Sequence, residues 1–208
     1  MFITLEGPDG SGKTTQVPRL AEYLRSRGLQ VLTTREPGGT PISDQVRQVI
    51  MSMKNQEMDP RTEILLFCAA RAQLVNQLVR PALEQGMIVI SDRYADSTLA
   101  YQGYGHGYDR DFLRQLLHFA TGGLVPDLTC YIDLDAETGL LRRKKGGEWN
   151  RMDAYQLDFH RRVRQGYLEM ARQEPQRWVV IDGSQPVADV QAALQQAVSE
   201  RLKLISNP

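Results

Sequence analysis

Cysteine is scarce in this 208-residue chain: Cys68 and Cys130 are the only two, and neither has a CxxC partner. That argues against a cysteine-built metal cluster or a disulfide scaffold, and both are expected as small buried hydrophobes. Net charge is missing too. The 25 basic and 25 acidic residues cancel, so the total charge points to neither nucleic acid nor a membrane surface as a partner. No apolar run approaches the roughly 20 residues needed to span a bilayer. The opening Met1-Phe2-Ile3-Thr4-Leu5-Glu6 has no basic n-region, long apolar h-region or small-residue cleavage site, so it reads as a strand and the expected compartment is the cytoplasm.

What is present is ordinary in bulk, with 41% apolar and 24% charged residues. The length suits one domain, residues 1–208, with no repeat or composition break marking a second. Arginine outnumbers lysine by 20 to 5, which favours the planar fork that grips phosphates and carboxylates. Five apolar runs predict strands at Phe2–Leu5, Gln30–Thr34, Met87–Ser91, Leu128–Leu134 and Trp178–Ile181. Helical spacing links Val17, Leu20, Ala21 and Leu24, and again Val46, Val49, Ile50 and Met53. Further helices are predicted over Thr62–Gln85, Arg110–Ala120, Tyr155–Arg172 and Val187–Leu204, with irregular pieces at Pro37–Pro41, Gly103–Asp109 and Lys144–Asn150. Alternation of strand and helix predicts a three-layer α/β/α fold with a five-stranded parallel sheet, of P-loop NTPase type. In such sheets ligands bind beyond the carboxyl ends of the strands.

The stretch after the first strand is Gly7-Pro8-Asp9-Gly10-Ser11-Gly12-Lys13-Thr14-Thr15, whose residues up to Thr14 fit G-x-x-x-x-G-K-[ST]. It follows a strand and opens a helix, as a phosphate cradle requires. Backbone amides would hold the phosphates of a nucleotide such as ATP, Lys13 would neutralise the outer ones, and Thr14 would offer its hydroxyl to Mg²⁺. An ordinary strand-to-helix turn is the plainer reading. Pro18 is an anomaly there, because its ring presses on the carbonyl of Thr14 within a helix.

Such a loop serves switches, kinases and motors alike. A GTPase switch would carry N-K-x-D, and no Asn-Lys dipeptide occurs. After the second predicted strand comes "TREPGGT", Thr34 to Thr40, and after the third comes "DRYADSTLAYQG", Asp92 to Gly103. Arg35 and Arg93 therefore stand at strand ends that face one crevice, placed to hold the phosphate of an acceptor; surface ion pairs are the plain alternative. Glu36-Pro37 has the composition of a loop-fixing cis peptide. A small-molecule kinase fits best.

"EGPDGSGKTT", "TREPGGT", "FCAAR" and "DRYADSTLAYQG", in this order and spacing, closely resemble thymidylate kinases. The likeness extends from Phe2 to about Val198. It implies transfer of the γ-phosphoryl of ATP to dTMP with Mg²⁺, giving dTDP for dTTP synthesis, by a homodimer whose partners include neither nucleic acid nor membrane. Another nucleoside or nucleotide kinase, and a nucleotide-binding switch, are the rivals.

By that resemblance Arg35 and Arg93 hold the acceptor phosphate, while Phe67 stacks on thymine and Arg71 bonds its carbonyl edge. By periodicity alone Phe67 reads as core and Arg71 as a solvated charge; their i, i+4 spacing puts them on one helix face. Ser97, Thr98, Tyr101 and Gln102 match residues around base and sugar, with the tyrosine disfavouring a ribose 2′-hydroxyl. Asp9 matches an acid that meets the sugar 3′-hydroxyl, and is otherwise a carboxylate at a helix start. Asp92 is a Mg²⁺ partner, direct or indirect, or an orienter of Arg93. Some members carry the charge-stabilising arginine in the phosphate loop, where this chain has Gly10. Others carry it on a lid, here Leu141–Asp153, "LRRKKGGEWNRMD", with Arg142, Arg143 and Arg151 as the candidates. The chain resembles this bacterial lid-arginine type, and an exposed charged turn is the plain reading of the same segment. The loop Asp182–Pro186 falls near adenine by the same analogy.

Overall fold

The computed structural model describes residues 1–146 and 149–206. Its sheet has five parallel strands in the order β2-β3-β1-β4-β5: β1 Phe2–Glu6, β2 Val31–Arg35, β3 Ile88–Asp92, β4 Leu128–Asp133 and β5 Trp178–Asp182. Each lies within a residue or two of the expected run. The central β1 is buried at every position, as an apolar strand covered on both faces must be.

One face of the sheet packs on α1 (Lys13–Ser26) and α9 (Val187–Ser206). Ile3, Leu5, Ile90 and Cys130 meet Leu20, Leu24, Leu194 and Val198 there, which is the i, i+3, i+4, i+7 stripe foreseen for α1. The opposite face is covered by α3 (Pro60–Leu74), α4 (Arg80–Glu84) and α8 (Leu157–Gln173), through Phe2, Val89, Leu74 and Val79 at one end and Tyr131, Phe159, Tyr167 and Trp178 at the other. Both cysteines are buried thiols, Cys130 at 0% exposure against β1. Capping residues fix where several helices begin. Thr40 accepts from the amide of Ser43 ahead of α2 (Pro41–Met51), and Asp59 from that of Arg61 ahead of α3, while Pro at the first helical turn costs no hydrogen bond.

Three helical expectations change. The single helix predicted over Thr62–Gln85 is α3, a wide π-helical turn at Val75–Val79, and α4. Pro81 lacks the N–H that an α-helix would aim four residues back, and the wide turn immediately before it absorbs the break. The irregular piece expected at Gly103–Asp109 starts inside a helical segment: α5 (Ala95–Thr98) continues as a π-helical stretch Leu99–Gly105. Its glycines read as loop by propensity, but Gly105 is where this stretch presses on Phe159 of α8 with no space for a Cβ. The first part of the expected lid is also helical, as α7 (Ala136–Gly146); Gly147 and Glu148 of that lid lie outside the described residues. The remaining helix is α6 (Arg110–Thr121).

α1 runs unbroken through Pro18. Thr14 and Pro18 lie on one exposed face of it. Among the described residues no helix is long and apolar enough to cross a membrane.

Candidate active site

The register of the sheet decides which side chains meet. Asp92, the last residue of β3, pairs with Leu5 of β1 on one side and Arg35 of β2 on the other. The carboxyl ends of these strands therefore open into one cleft of about 920 Å³.

Its floor is the loop between β1 and α1. Gly7, Gly10 and Gly12 have φ of 150°, 78° and 98°, and the loop closes on the Lys13 ammonium, which donates to the carbonyls of Gly7 at 2.9 Å and Pro8 at 3.0 Å. No side chain caps α1, so the positive end of that helix is presented to the cleft. Thr14 Oγ1 donates to Asp92 Oδ2 at 3.1 Å. These are two hard oxygen donors at the mouth of the phosphate loop, where Mg²⁺ keeping its remaining sites for water and phosphate would be held. Among the described residues no group of three or more His, Cys, Asp and Glu forms a closed metal cage.

The opposite wall carries the guanidinium groups. Arg35 is half-exposed and donates to Asp44 Oδ1 at 3.1 Å. The Glu36–Pro37 peptide is cis, and the carbonyl of Pro37 accepts from Arg47 Nη1 at 2.8 Å. Arg93 has a left-handed φ of 72°. A conformation of this kind costs a non-glycine residue about 1 kcal/mol or more, and it is held from both sides: the Arg93 amide donates to Leu5 O at 3.0 Å and its carbonyl accepts from Ser91 Oγ at 2.7 Å. Arg93 Nη2 then donates to Asp9 Oδ1 at 2.9 Å and to the Tyr101 hydroxyl at 3.1 Å. Its Nη1 reaches Ser97 Oγ at 3.1 Å and the Tyr167 hydroxyl at 3.3 Å. The guanidinium is aimed by four partners.

Phe67 and Arg71 project from α3 into the same cleft. Arg71 is 1% exposed and fully engaged, with Nε on Glu36 Oε2 at 2.7 Å, Nη1 on Thr98 Oγ1 at 3.0 Å and Nη2 on the carbonyl of Tyr94 at 3.1 Å. The expected solvated charge is thus a buried ion pair whose edge forms the cleft wall. Gln102 lines the cleft and donates through Nε2 to Glu63 Oε1 at 2.6 Å.

On the third side α7 lies against the phosphate loop. Arg142 and Arg143 line the cleft, the first reaching Gly183 O at 3.3 Å and the second Asp153 Oδ2 at 3.2 Å. Arg151 goes elsewhere: it is 4% exposed, ion-pairs with Glu63 and donates through Nε to Ile50 O at 2.8 Å. It is not among the residues lining the cleft.

Burial and neighbouring charge set the protonation states. Burial pushes Lys13 down to about 8, with the Arg93 charge acting in the same direction. Burial also works against ionisation of Asp9, but Arg93, Lys13 and the Tyr101 hydroxyl outweigh it and hold the carboxyl well below the usual range. Glu36 is raised by burial despite Arg71. Glu6 is pushed up to about 7, first by burial and then by Asp96.

The thymidylate kinase family model matches residues 5–194. The chain is 51% identical over 201 residues to a thymidylate kinase of Deinococcus radiodurans, covering 97% of each chain. It is 47% identical over 220 residues to one of Roseiflexus sp., covering 100% of this chain and 94% of the other. The crystal structure of a thymidylate kinase from Ehrlichia chaffeensis superposes with a TM-score of 0.79 at 37% identity, over 96% and 98% of the two chains.

The chain belongs to the thymidylate kinase family.

Of the residues that family resemblance singled out, Asp9, Gly10, Gly12, Lys13, Thr14 and Thr15 line the cleft, and so do Arg35, Phe67, Arg71, Asp92 and Arg93. Ser97, Thr98, Tyr101, Gln102, Arg142 and Arg143 line it too. Gly7, Pro8 and Ser11 shape the loop from behind, by hydrogen bonds to Lys13 and from the Ser11 amide to Pro8 O. Sequence reasoning missed Glu6, Glu36, Arg47, Glu63 and Tyr167. Glu6 had a signal, an acid closing an apolar strand one residue before the phosphate loop. Tyr167 had none, since it reaches Arg93 from 74 residues away on α8.

Proposed function

We propose that this chain transfers the γ-phosphoryl group of ATP to the phosphate of dTMP, forming dTDP for dTTP synthesis. The observation that carries the reading is the meeting of Lys13 and Arg93 at Asp9, where Arg93 lies 2.9 Å from Asp9 Oδ1 and Lys13 adds its charge. A group suited to the donor's outer phosphates and one suited to an acceptor phosphate thereby face each other across one carboxylate.

In this reading the loop amides and Lys13 hold ATP, and Arg35 and Arg93 hold the dTMP phosphate. Phe67, Arg71, Thr98 and Gln102 receive thymine, while Asp9, Ser97 and Tyr101 border the sugar. Phosphoryl transfer asks for alignment and charge stabilisation more than for covalent help. Arg142 and Arg143 supply positive charge over the transferred group, and the lid of residues 141–153 excludes water that would otherwise divert ATP to hydrolysis. Thr14 and Asp92 would hold Mg²⁺, which neutralises charge on the outer phosphates when bound. Arg151, buried against Glu63, ties the end of the lid to α2 and α3.

The reading includes a homodimer. It is supported by apolar side chains that α3 and α6, packed on one another, turn to solvent: Leu65, Phe112 and Phe119 are 58%, 57% and 84% exposed. Sedimentation at micromolar concentration tests this, and a monomer would refute it.

The acceptor is tested with a panel of dTMP, dUMP, dCMP, dGMP and dAMP, each with ATP and Mg²⁺. The reading requires dTMP to be preferred. Preference for a purine acceptor would overturn it in favour of another nucleotide kinase, and turnover indifferent to every acceptor would favour a nucleotide-binding switch.

A further inference from the structure

Glu6 ends β1 directly before the phosphate loop and is wholly buried, yet among the described residues it forms no ion pair. A buried carboxyl with no ion-pair partner in contact is costly unless hydrogen bonds satisfy it, and here they do. Oε1 accepts the Tyr94 amide at 2.7 Å. Oε2 accepts the hydroxyls of Ser97 at 2.6 Å and Tyr167 at 2.8 Å.

Those two hydroxyls are the partners of Arg93 Nη1, at 3.1 Å and 3.3 Å. A guanidinium can only donate, and a hydroxyl has a single proton, so both oxygens must send their protons elsewhere if each is to accept from Nη1. Ser97 Oγ and the Tyr167 oxygen are 2.8 Å apart and can also bond each other. Glu6 Oε2 removes that alternative by taking both protons. We propose that Glu6 is a positioning residue for acceptor binding: by drawing the Ser97 and Tyr167 hydroxyl protons to itself, it turns two lone pairs toward Arg93 and fixes the guanidinium that grips the acceptor phosphate. This rests on the reading of Arg93 given above.

Glu6→Gln has the same shape and cannot do this work. Its carbonyl must accept the Tyr94 amide, which turns the NH₂ group toward Ser97 and Tyr167 and makes both hydroxyls face a donor. The experiment measures dTMP affinity calorimetrically for the wild type, Glu6→Gln, Arg93→Ala and the double variant, with the KM for ATP beside it. Hydrogen bonds to charged groups of this kind predict about tenfold weaker dTMP binding in Glu6→Gln, with the KM for ATP within about twofold. On the Arg93→Ala background the same change should shift affinity by less than about twofold, because the group it acts through is gone.

Wild-type affinity in Glu6→Gln, or an equal loss on both backgrounds, overturns the proposal. Wild-type affinity in Arg93→Ala overturns instead the reading of Arg93 on which it rests. If Glu6→Gln does not fold, Tyr167→Phe decides: it keeps the buried ring and deletes one hydroxyl, so a several-fold loss of dTMP affinity supports the proposal and unchanged affinity overturns it.

Discussion

Gly139 of α7 sits directly on Gly10 at the tip of the phosphate loop, and neither residue has room for a Cβ: on Gly10 it would meet the Gly139 carbonyl, and on Gly139 the carbonyl of Asp9. A side chain at Gly10 is therefore barred by α7 as well as strained by its φ of 78°. The arginine that the resemblance puts at this position in other members of the family has no place here. In the proposed reaction that leaves the positive charge over the transferred phosphate to Arg142 and Arg143 of α7, the helix this contact seats. Gly139→Ala should lower kcat by tenfold or more and destabilise the fold by about 1–3 kcal/mol, as overpacking against backbone does. Turnover assays and thermal melting check this; a folded variant with wild-type kcat would separate the seat of α7 from turnover.

Lys13→Ala should cost kcat roughly 10² to 10³, the range for removing one preorganised charge donor from a transition state. Among the described residues Lys13 Nζ bonds only to its own loop, so the loss of melting temperature should be small. Equal activity would contradict the loop's assignment.

Arg71→Ala has two consequences. Thymine recognition suffers, so dTMP affinity falls, and Glu36 is left buried without its partner at 2.6 Å. Breaking a buried pair on one side costs about 3–5 kcal/mol, so urea denaturation should show a stability loss of that size. A variant as stable as the wild type would mean the pair contributes nothing to the fold.

Lid arginines should divide by location. Arg143→Ala, at the cleft, should lower kcat by about 10² or more, with a smaller shift of the urea midpoint, because buried Asp153 loses this partner but keeps the Asn150 amide. Arg151→Ala, buried on Glu63, should do the reverse in proportion, shifting the midpoint first. Steady-state kinetics with urea titrations decide it, and a larger kcat loss in Arg151→Ala would return that residue to the catalytic group.

The outline of this molecule was legible in its sequence because its strands are continuous apolar runs and its phosphate loop is a local pattern. Both depend on near neighbours along the chain. The helical turn through Gly103 and Gly105 was not legible: both read as the start of an irregular piece, Gly103–Asp109, whereas Gly105 packs closely on Phe159 and Val163 of α8. The site divides the same way. Lys13 follows from the phosphate-loop pattern and Arg35, Asp92 and Arg93 from standing at strand ends, whereas the burial of Arg71 and Arg151 depends on Glu36 and Glu63, acids whose sequence surroundings say nothing of their partners.

Glu6 supplies a pH prediction. Its surroundings are Asp96, which raises it, the Arg93 guanidinium and the Ser97 and Tyr167 hydroxyls, which lower it, and the nearby Lys13 ammonium. Because its pKa is raised in the folded state from 4.5 to about 7, its contribution to stability is complete below pH about 4.5 and is lost as pH rises through about 7. Acceptor binding runs the other way, since the ionised carboxylate is the form that takes both hydroxyl protons. The dTMP affinity of the wild type should climb between about pH 6 and 8, and the ratio of wild type to Glu6→Gln should climb with it. A ratio independent of pH would refute this, and taking the ratio cancels titration of the nucleotide phosphate.

If two phosphates meet end to end between Lys13 and Arg93, label from γ-labelled ATP must pass straight to the acceptor. With dTMP and Mg²⁺ present, the label should appear in dTDP in step with ADP release, and both should fall together in Arg93→Ala. Label released as free phosphate at the same rate with or without dTMP would contradict the account.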